Sequence, residues 1–417
     1  MSRLGPACRI ASSALALLVS GCTVAAPTEP LQPTAGPSRT PIQLGPTSTV
    51  LASTPTSTRP PPAPTLLPLP EISPSDWSLG PLEAPAALLV YADFQSPGSV
   101  NVLRAALQLA DAHPEALRLV IRHLPLIPSF DKDSLAGQAV EAAGAQGEFW
   151  PMTRALVERH AEWSVQSPED FREWLIALAG ELGLEVSAFK ADLDNGRYAA
   201  FMLASYEDAV ASGLPGPPVM FLNSLLFRVP PTQENLEAAV RLEILASQAY
   251  PEPPTITIRE GADYFATLVL DEGEIVIQLL PESAPMAVNS FVFLARQDWF
   301  DGTAIYRVVP SGWVEAGDPS GTGLGDAGYH LPDEIDSART FDEPGMVALA
   351  SVGPDTGGSR FLITLAPLPA LNGTRTIFGR VVQGLELLQD LPARDPTSDL
   401  LVPGALIMRD VLIEVEL

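Results

Sequence analysis

From Thr23 to about Gly80 the chain carries fourteen prolines, five charged residues and no apolar periodicity, so this stretch cannot bury enough surface to fold. The prolines stiffen it toward extended polyproline geometry, at most about 3.1 Å per residue, and it reads as a tether. A second proline break, Pro251-Glu252-Pro253-Pro254, interrupts the remainder. At 417 residues the chain is also longer than single cores usually grow, which sets two folded domains as the expectation. These breaks end the tether at 80 and bound two folded segments, 81–250 and 255–417, while the division of the rest into 1–21 and 22–80 rests on the motif at Cys22.

Both cysteines, Cys8 and Cys22, lie at the N-terminus, so the expected domains hold no thiol. Arg3 and Arg9 precede an apolar stretch, Ile10 to Val19, and then Val19-Ser20-Gly21-Cys22, which resembles a bacterial lipobox. That resemblance implies a signal peptide over 1–21, cleavage before Cys22, a lipid on its sulfur and an extracytoplasmic chain anchored to the cell membrane. The apolar stretch is near ten residues, short of the about 20 that span a bilayer as a helix. An ordinary secretory signal with an incidental Cys22 is the alternative. The charge count, 24 Lys plus Arg against 50 Asp plus Glu, gives −26. So acidic a chain repels a phosphate backbone, which argues against nucleic acid as a partner.

Between 81 and 250 strand and helix patterns alternate. Ala87–Tyr91, Leu119–Leu126 and Val219–Leu222 read as strands, and helical runs reach to Ala112 and cover Ser134–His160, Pro168–Ala211 and Gln233–Ser247. Alternation of this kind implies an α/β domain with a helix-covered sheet. This order, with Asp93-Phe94-Gln95, Arg122-His123-Leu124-Pro125-Leu126 and the Gly213–Asn223 segment, resembles the DsbA-like branch of the thioredoxin fold. Enzymes of that family carry Cys-x-x-Cys where this chain has Ser96-Pro97-Gly98-Ser99. Thiol exchange needs a thiolate to attack a disulfide sulfur, so serines there exclude oxidoreductase activity. Pro218 falls on the family's cis-proline, beside a groove that receives extended peptide; it implies a docking module or a turn inherited with the fold.

After the second break short strands dominate: Phe265–Leu270, Glu274–Leu280, Ala304–Val309, Met346–Ala350, Phe361–Leu365 and Val411–Val415, with helices over Ala284–Arg296 and Gly384–Leu391. Many short strands with Gly and Pro turns suggest a mainly-β closed barrel carrying two helices. The segments Gly273–Gln278, Ala284–Leu294, Tyr306–Pro310, Ala316–Gly323, Gly353–Ile363, Leu371–Gly373 and Ile377–Val381 resemble, in order, the cyclophilins. The resemblance implies a peptidyl-prolyl cis-trans isomerase whose substrates are proline-containing polypeptides, with no cofactor and no metal.

Rotation about an X–Pro bond breaks amide resonance, a barrier near 18 to 20 kcal/mol. In the twisted state the prolyl nitrogen regains a lone pair, which a fixed cationic donor stabilises more than it stabilises the planar amide. Arginine suits this role, being planar, permanently charged and rich in donors. Arg307 matches the family's catalytic arginine, and the substrate-binding positions fall on Trp313, Glu315, Ala350, Arg360, Leu362, Leu371 and Arg375.

Most of these depart from the family pattern. Gly312 and Leu362 stand where it has Phe, Ala370 where it has Trp, Glu315 and Arg360 where it has Gln, and Arg375 where it has His. Three lost rings remove on the order of 1.5 to 3 kcal/mol of burial each, which predicts weaker proline binding. Glu315 is expected to pair with Arg360 and leave Arg307 free for a slow isomerase. The competing reading is a peptide-binding chaperone or scaffold without catalysis.

Gly323-Leu-Gly325-Asp-Ala-Gly328 has the G-x-G-x-x-G pattern, but Tyr329-His-Leu-Pro332 follows it rather than a helix, so a nucleotide is not expected. His113, His123, His160 and His330 lack metal-ligand spacing. Glu141, Asp192 and Glu237 read as solvated helix faces.

Overall fold

A computed structural model describes residues 71–127, 129–401 and 406–417. Cys22, the expected signal peptide and the tether up to residue 70 lie outside the described residues.

The first sheet has five strands, β1 (Ser78–Leu79), β2 (Ala86–Ala92), β3 (Leu117–His123), β4 (Val219–Leu222) and β5 (Leu225–Leu226), in the order β1-β3-β2-β4-β5. β2 and β3 run parallel, joined through the helix Pro97–Ala112; β4 is antiparallel to β2. The run Ala86-Ala-Leu-Leu-Val90 is apolar on both sides because both faces of this strand are covered. Pro97 opens the helix where a missing N–H costs nothing, and the Ser96 hydroxyl caps it by accepting from the Ser99 N–H at 3.3 Å. The helical run expected over Pro168–Ala211 is three helices, Pro168–Glu181, Val186–Asp194 and Ala199–Ala211. Gly183 (φ +76°) and Gly196 (φ +58°) take the left-handed backbone that ends the first two.

Residues 71–80, expected as the end of the tether, belong to this fold instead. Ser78–Leu79 pairs with β3, and the Trp77 ring stacks on Phe149 at 4.6 Å. Glu141 and Glu237, expected in solvent, are buried: the Glu141 carboxylate accepts from Trp77 Nε1 at 3.2 Å and meets His123 Nε2 at 2.8 Å, and Glu237 lies 3.0 Å from His113 Nε2. Period 3.6 marks which face a residue shares but cannot see that a loop tryptophan or a histidine will cover it.

The second sheet has nine strands: β6 (Asp263–Leu270), β7 (Gly273–Leu279), β8 (Thr303–Ala304), β9 (Arg307–Val309), β10 (Trp313–Ala316), β11 (Met346–Leu349), β12 (Phe361–Thr364), β13 (Ile377–Gln383) and β14 (Ile407–Glu416). Their order is β8-β14-β6-β7-β13-β11-β12-β10-β9. The strand expected over Ala304–Val309 is split: β8 pairs with β14 and β9 with β10, so the chain changes partner across Ile305-Tyr306. The two ends of the sheet are therefore two residues apart in sequence, and the sheet curls. β6 alternates buried and part-exposed residues along its length, one face to the core.

The helix Pro285–Arg296 buries its apolar residues in one core cluster with the sheet. Its Phe291 ring stands 5.0 Å from Phe300, 5.5 Å from Phe361 and 5.4 Å from Phe378, so one aromatic cluster joins helix, loop, β12 and β13. Glu334 caps the helix, accepting the Met286 and Ala287 N–H groups at 3.0 and 2.9 Å where the dipole favours an anion. Removing a fully buried ring from this cluster deletes its transfer energy and leaves a cavity. Phe378→Ala is expected to cost about 3–5 kcal/mol, read as a lowered urea midpoint for the second domain.

Candidate functional site

Four antiparallel strands set out two rows of side chains. Arg307, Glu315, Leu362 and Ala348 are successive cross-strand partners on β9, β10, β12 and β11. The alternate row is Val308, Val314, Ile363 and Val347, all buried in the core. Because side chains alternate faces, burying the valine row obliges the arginine row to face outward.

Glu315 Oε2 accepts from Arg307 Nε at 3.1 Å, and Glu315 Oε1 accepts from Trp313 Nε1 at 2.8 Å. The expected Glu315–Arg360 pair does not form. Arg360 turns away, its Nη1 donating to the Gly323 carbonyl at 2.5 Å and its Nε 3.8 Å from Asp326. Glu315 and Arg307 are direct neighbours in the ladder, so their pair orders no further backbone; this is why it forms in preference. The Arg307 side chain remains 29% exposed. Its Nη1 lies 3.6 Å from Asp395, a residue that sequence reasoning missed because no spacing links it to β9. The bridge Val308–Arg394 brings that loop alongside.

Trp313 and Leu371 pack against a cluster built on Leu362, Ala348, Phe341 and Ile377. The structure thus unites three of the expected apolar positions. A ring at Gly312 is not merely absent: a Cβ there would stand 2.9 Å from Val309 Cγ1. Ala350, just past β11, donates its N–H to the Arg360 carbonyl at 3.0 Å. Arg375 is bound to the Ser351 carbonyl and hydroxyl, so it braces the loop after Ala350.

The glycine-rich loop is folded round Asp318, which is buried. Its carboxylate accepts N–H groups from Ser320 at 2.8 Å, Gly323 at 2.7 Å and Gly325 at 3.0 Å. Backbone donors that a phosphate would need are consumed internally.

In the first domain Asp93 gathers the Ser96-Pro97-Gly98-Ser99 motif. It accepts both serine hydroxyls, Ser99 at 2.5 Å and Ser96, together with the Gln95 N–H at 2.9 Å. The Pro217–Pro218 peptide is cis, and the ring of Pro218 lies 3.7 Å from the Cβ position of Gly98. Behind Asp93, buried Asp133 accepts the Phe94 and Leu126 N–H groups at 3.0 and 2.6 Å. Burial, and next the Asp93 charge, push the Asp133 carboxyl up to about 7. A cavity of about 590 Å³ opens elsewhere on this domain, walled by Trp77, Tyr91, Phe201 and Leu214 over the Arg122–Asp76 ion pair.

A family profile described as cyclophilin type peptidyl-prolyl cis-trans isomerase/CLD matches residues 265–407, and one described as thioredoxin matches residues 73–241. Peptidyl-prolyl cis-trans isomerase B of Bacillus subtilis is 38% identical over 137 residues, 33% of this chain and 96% of that protein. Human peptidyl-prolyl cis-trans isomerase-like 1 is 41% identical over 119 residues, 28% of this chain and 72% of that protein. A crystal structure of a cyclophilin type isomerase from Cryptosporidium parvum is 28% identical, with a TM-score of 0.34, covering 37% of this chain and 99% of that one.

The raised Asp133 carboxyl makes stability depend on pH. Between about pH 4 and 7 the native state keeps a proton that the unfolded chain releases, so stability is fully present below that window and falls as pH rises through it. The slope is at most about 1.4 kcal/mol per pH unit. Urea denaturation of the first domain across this range is expected to show the fall in the parent and a flatter profile in Asp133→Asn.

Proposed function

The chain belongs to the cyclophilin-type peptidyl-prolyl cis-trans isomerase family, and from that premise we propose that Arg307 carries the reaction on proline-containing polypeptides. One observation carries the reading: Arg307 is tethered through Nε to its ladder neighbour Glu315, while the guanidinium stays partly open to solvent. Tethering by Nε fixes the plane of the group without consuming both terminal nitrogens. A fixed donor then meets the prolyl nitrogen as it leaves the amide plane, where its lone pair accepts a hydrogen bond that the planar amide does not offer.

Trp313, Leu362 and Leu371 supply the apolar wall for the proline ring. Glu315 orients the arginine, and Arg360 and Arg375 hold the loops that frame the groove through Gly323 and Ser351. The curled nine-stranded sheet is read as a closed barrel, supported by the two-residue gap between its end strands.

The first domain, taken as 81–250 with its start moved back to Glu71, is assigned to the DsbA-like branch without its cysteines, a docking surface for extended chain rather than a redox enzyme. The serines held by Asp93 support this. The lipobox-like Val19–Cys22 supports a signal peptide over 1–21, a lipid on Cys22, a proline-rich tether and an extracytoplasmic isomerase held at the membrane. A scaffold that binds peptide without catalysis is the second reading, favoured by the two carboxylates on Arg307.

Exchange spectroscopy by NMR on an Ala–Pro peptide decides between them. The full chain is expected to accelerate exchange, and Arg307→Ala to lower kcat/KM by about 10²–10³-fold, the usual loss for one transition-state donor. An Arg307→Ala variant as fast as its parent removes the assignment.

A further inference from the structure

Resting on the reading of Arg307 as the group that meets the prolyl nitrogen, we infer that Asp395 makes this isomerase selective for prolines flanked by a basic residue. Arg307 has a carboxylate on two sides, Glu315 at Nε and Asp395 at Nη1, at 3.1 and 3.6 Å. Asp399 joins them, its Oδ2 accepting the Asp395 N–H at 2.8 Å, and Arg394 is the other cation of this turn, donating from Nη2 to the Asp399 carbonyl at 2.9 Å. Arg307 and Arg394 against Glu315, Asp395 and Asp399 leave one negative charge. Arg360 is offset by Asp326.

The carboxylates differ in what they have left to offer. Glu315 is 17% exposed, with one oxygen on Arg307 and the other on Trp313. Asp395 is 54% exposed yet fixed in direction, since its Oδ1 accepts the Thr397 N–H at 3.0 Å and the Thr397 hydroxyl at 2.9 Å. Those bonds, the backbone one first, hold its carboxyl below the usual carboxylate range, so it is ionised at neutral pH. A preorganised anion open to solvent beside the reacting amide is placed to receive a lysine or arginine next to the proline, both of which carry charge on a long stem. The same charge repels a glutamate or aspartate in that place. The acidity of the whole chain, −26, draws every cationic peptide alike, whereas Asp395 acts at the bond that turns.

The test compares kcat/KM of the full chain, by NMR exchange, on peptides that differ only at the residues flanking proline: Ala on both sides, Lys before, Lys after, and Glu in each place. The expected order is Lys over Ala over Glu, with at least one Lys peptide favoured about twofold to fivefold at low ionic strength and less as salt is added. Asp395→Asn keeps an acceptor for Thr397 and is expected to bring the Lys-to-Ala ratio close to one; Asp395→Lys is expected to put Glu ahead of Lys. A parent with no basic preference, or a ratio that is the same in parent and Asn variant, overturns the inference while leaving the isomerase intact. Exchange of the Ala–Pro peptide no faster than without protein sinks the isomerase reading itself, and this inference with it.

Discussion

The row Val308, Val314, Ile363 and Val347 holds the second domain's chemistry in place, although none of these residues touches it. Each is buried, and each is a cross-strand partner of the next, so the apolar face permits one register across β9, β10, β12 and β11. A slip of one residue would turn every side chain over, putting valine in water and a guanidinium in the core, at a cost no single ion pair can offset. The position of Arg307 is thus set by hydrophobic burial, and Glu315 only refines its angle.

Around that row the site holds Gly312, Leu362 and Ala370 together with the charged Glu315 and Arg360. Local structure accommodates the mixture. Gly312 donates its N–H to the Val309 carbonyl in a turn with no room for a side chain, and Arg360 and Arg375 spend their charge on loop carbonyls. Two of the unusual charges therefore serve loop structure, and the charge that remains beside Arg307 is acidic.

Much of this was legible from residues alone because it depends on short-range order. The period-2 patterns of β6 and β7, the helix Pro285–Arg296 and the motif spacing around Arg307 each name their element without knowledge of the rest. What escaped depends on neighbours distant in sequence. β10, Trp313–Ala316, is too short for a periodic signal and exists because β9 and β12 flank it. β13, Ile377–Gln383, has an exposed C-terminal half and reads as strand only against β7 and β11. Opposite charge alone does not select the partner of Glu315; register does, and it places Arg307, not Arg360, directly opposite. Asp395 and Trp77 reach their places through loops, where sequence periodicity carries nothing.

The two serines at the head of the helix Pro97–Ala112 share one anion, Asp93, which also takes the first backbone donors of the turn. The positive end of that helix is therefore already neutralised. A sulfur placed at Ser96 or Ser99 would form beside a standing negative charge and a second acid, Asp133, and would hold its proton more firmly than a free thiol does. Cysteines introduced at both positions would therefore be expected to exchange with disulfides more slowly than free thiols do.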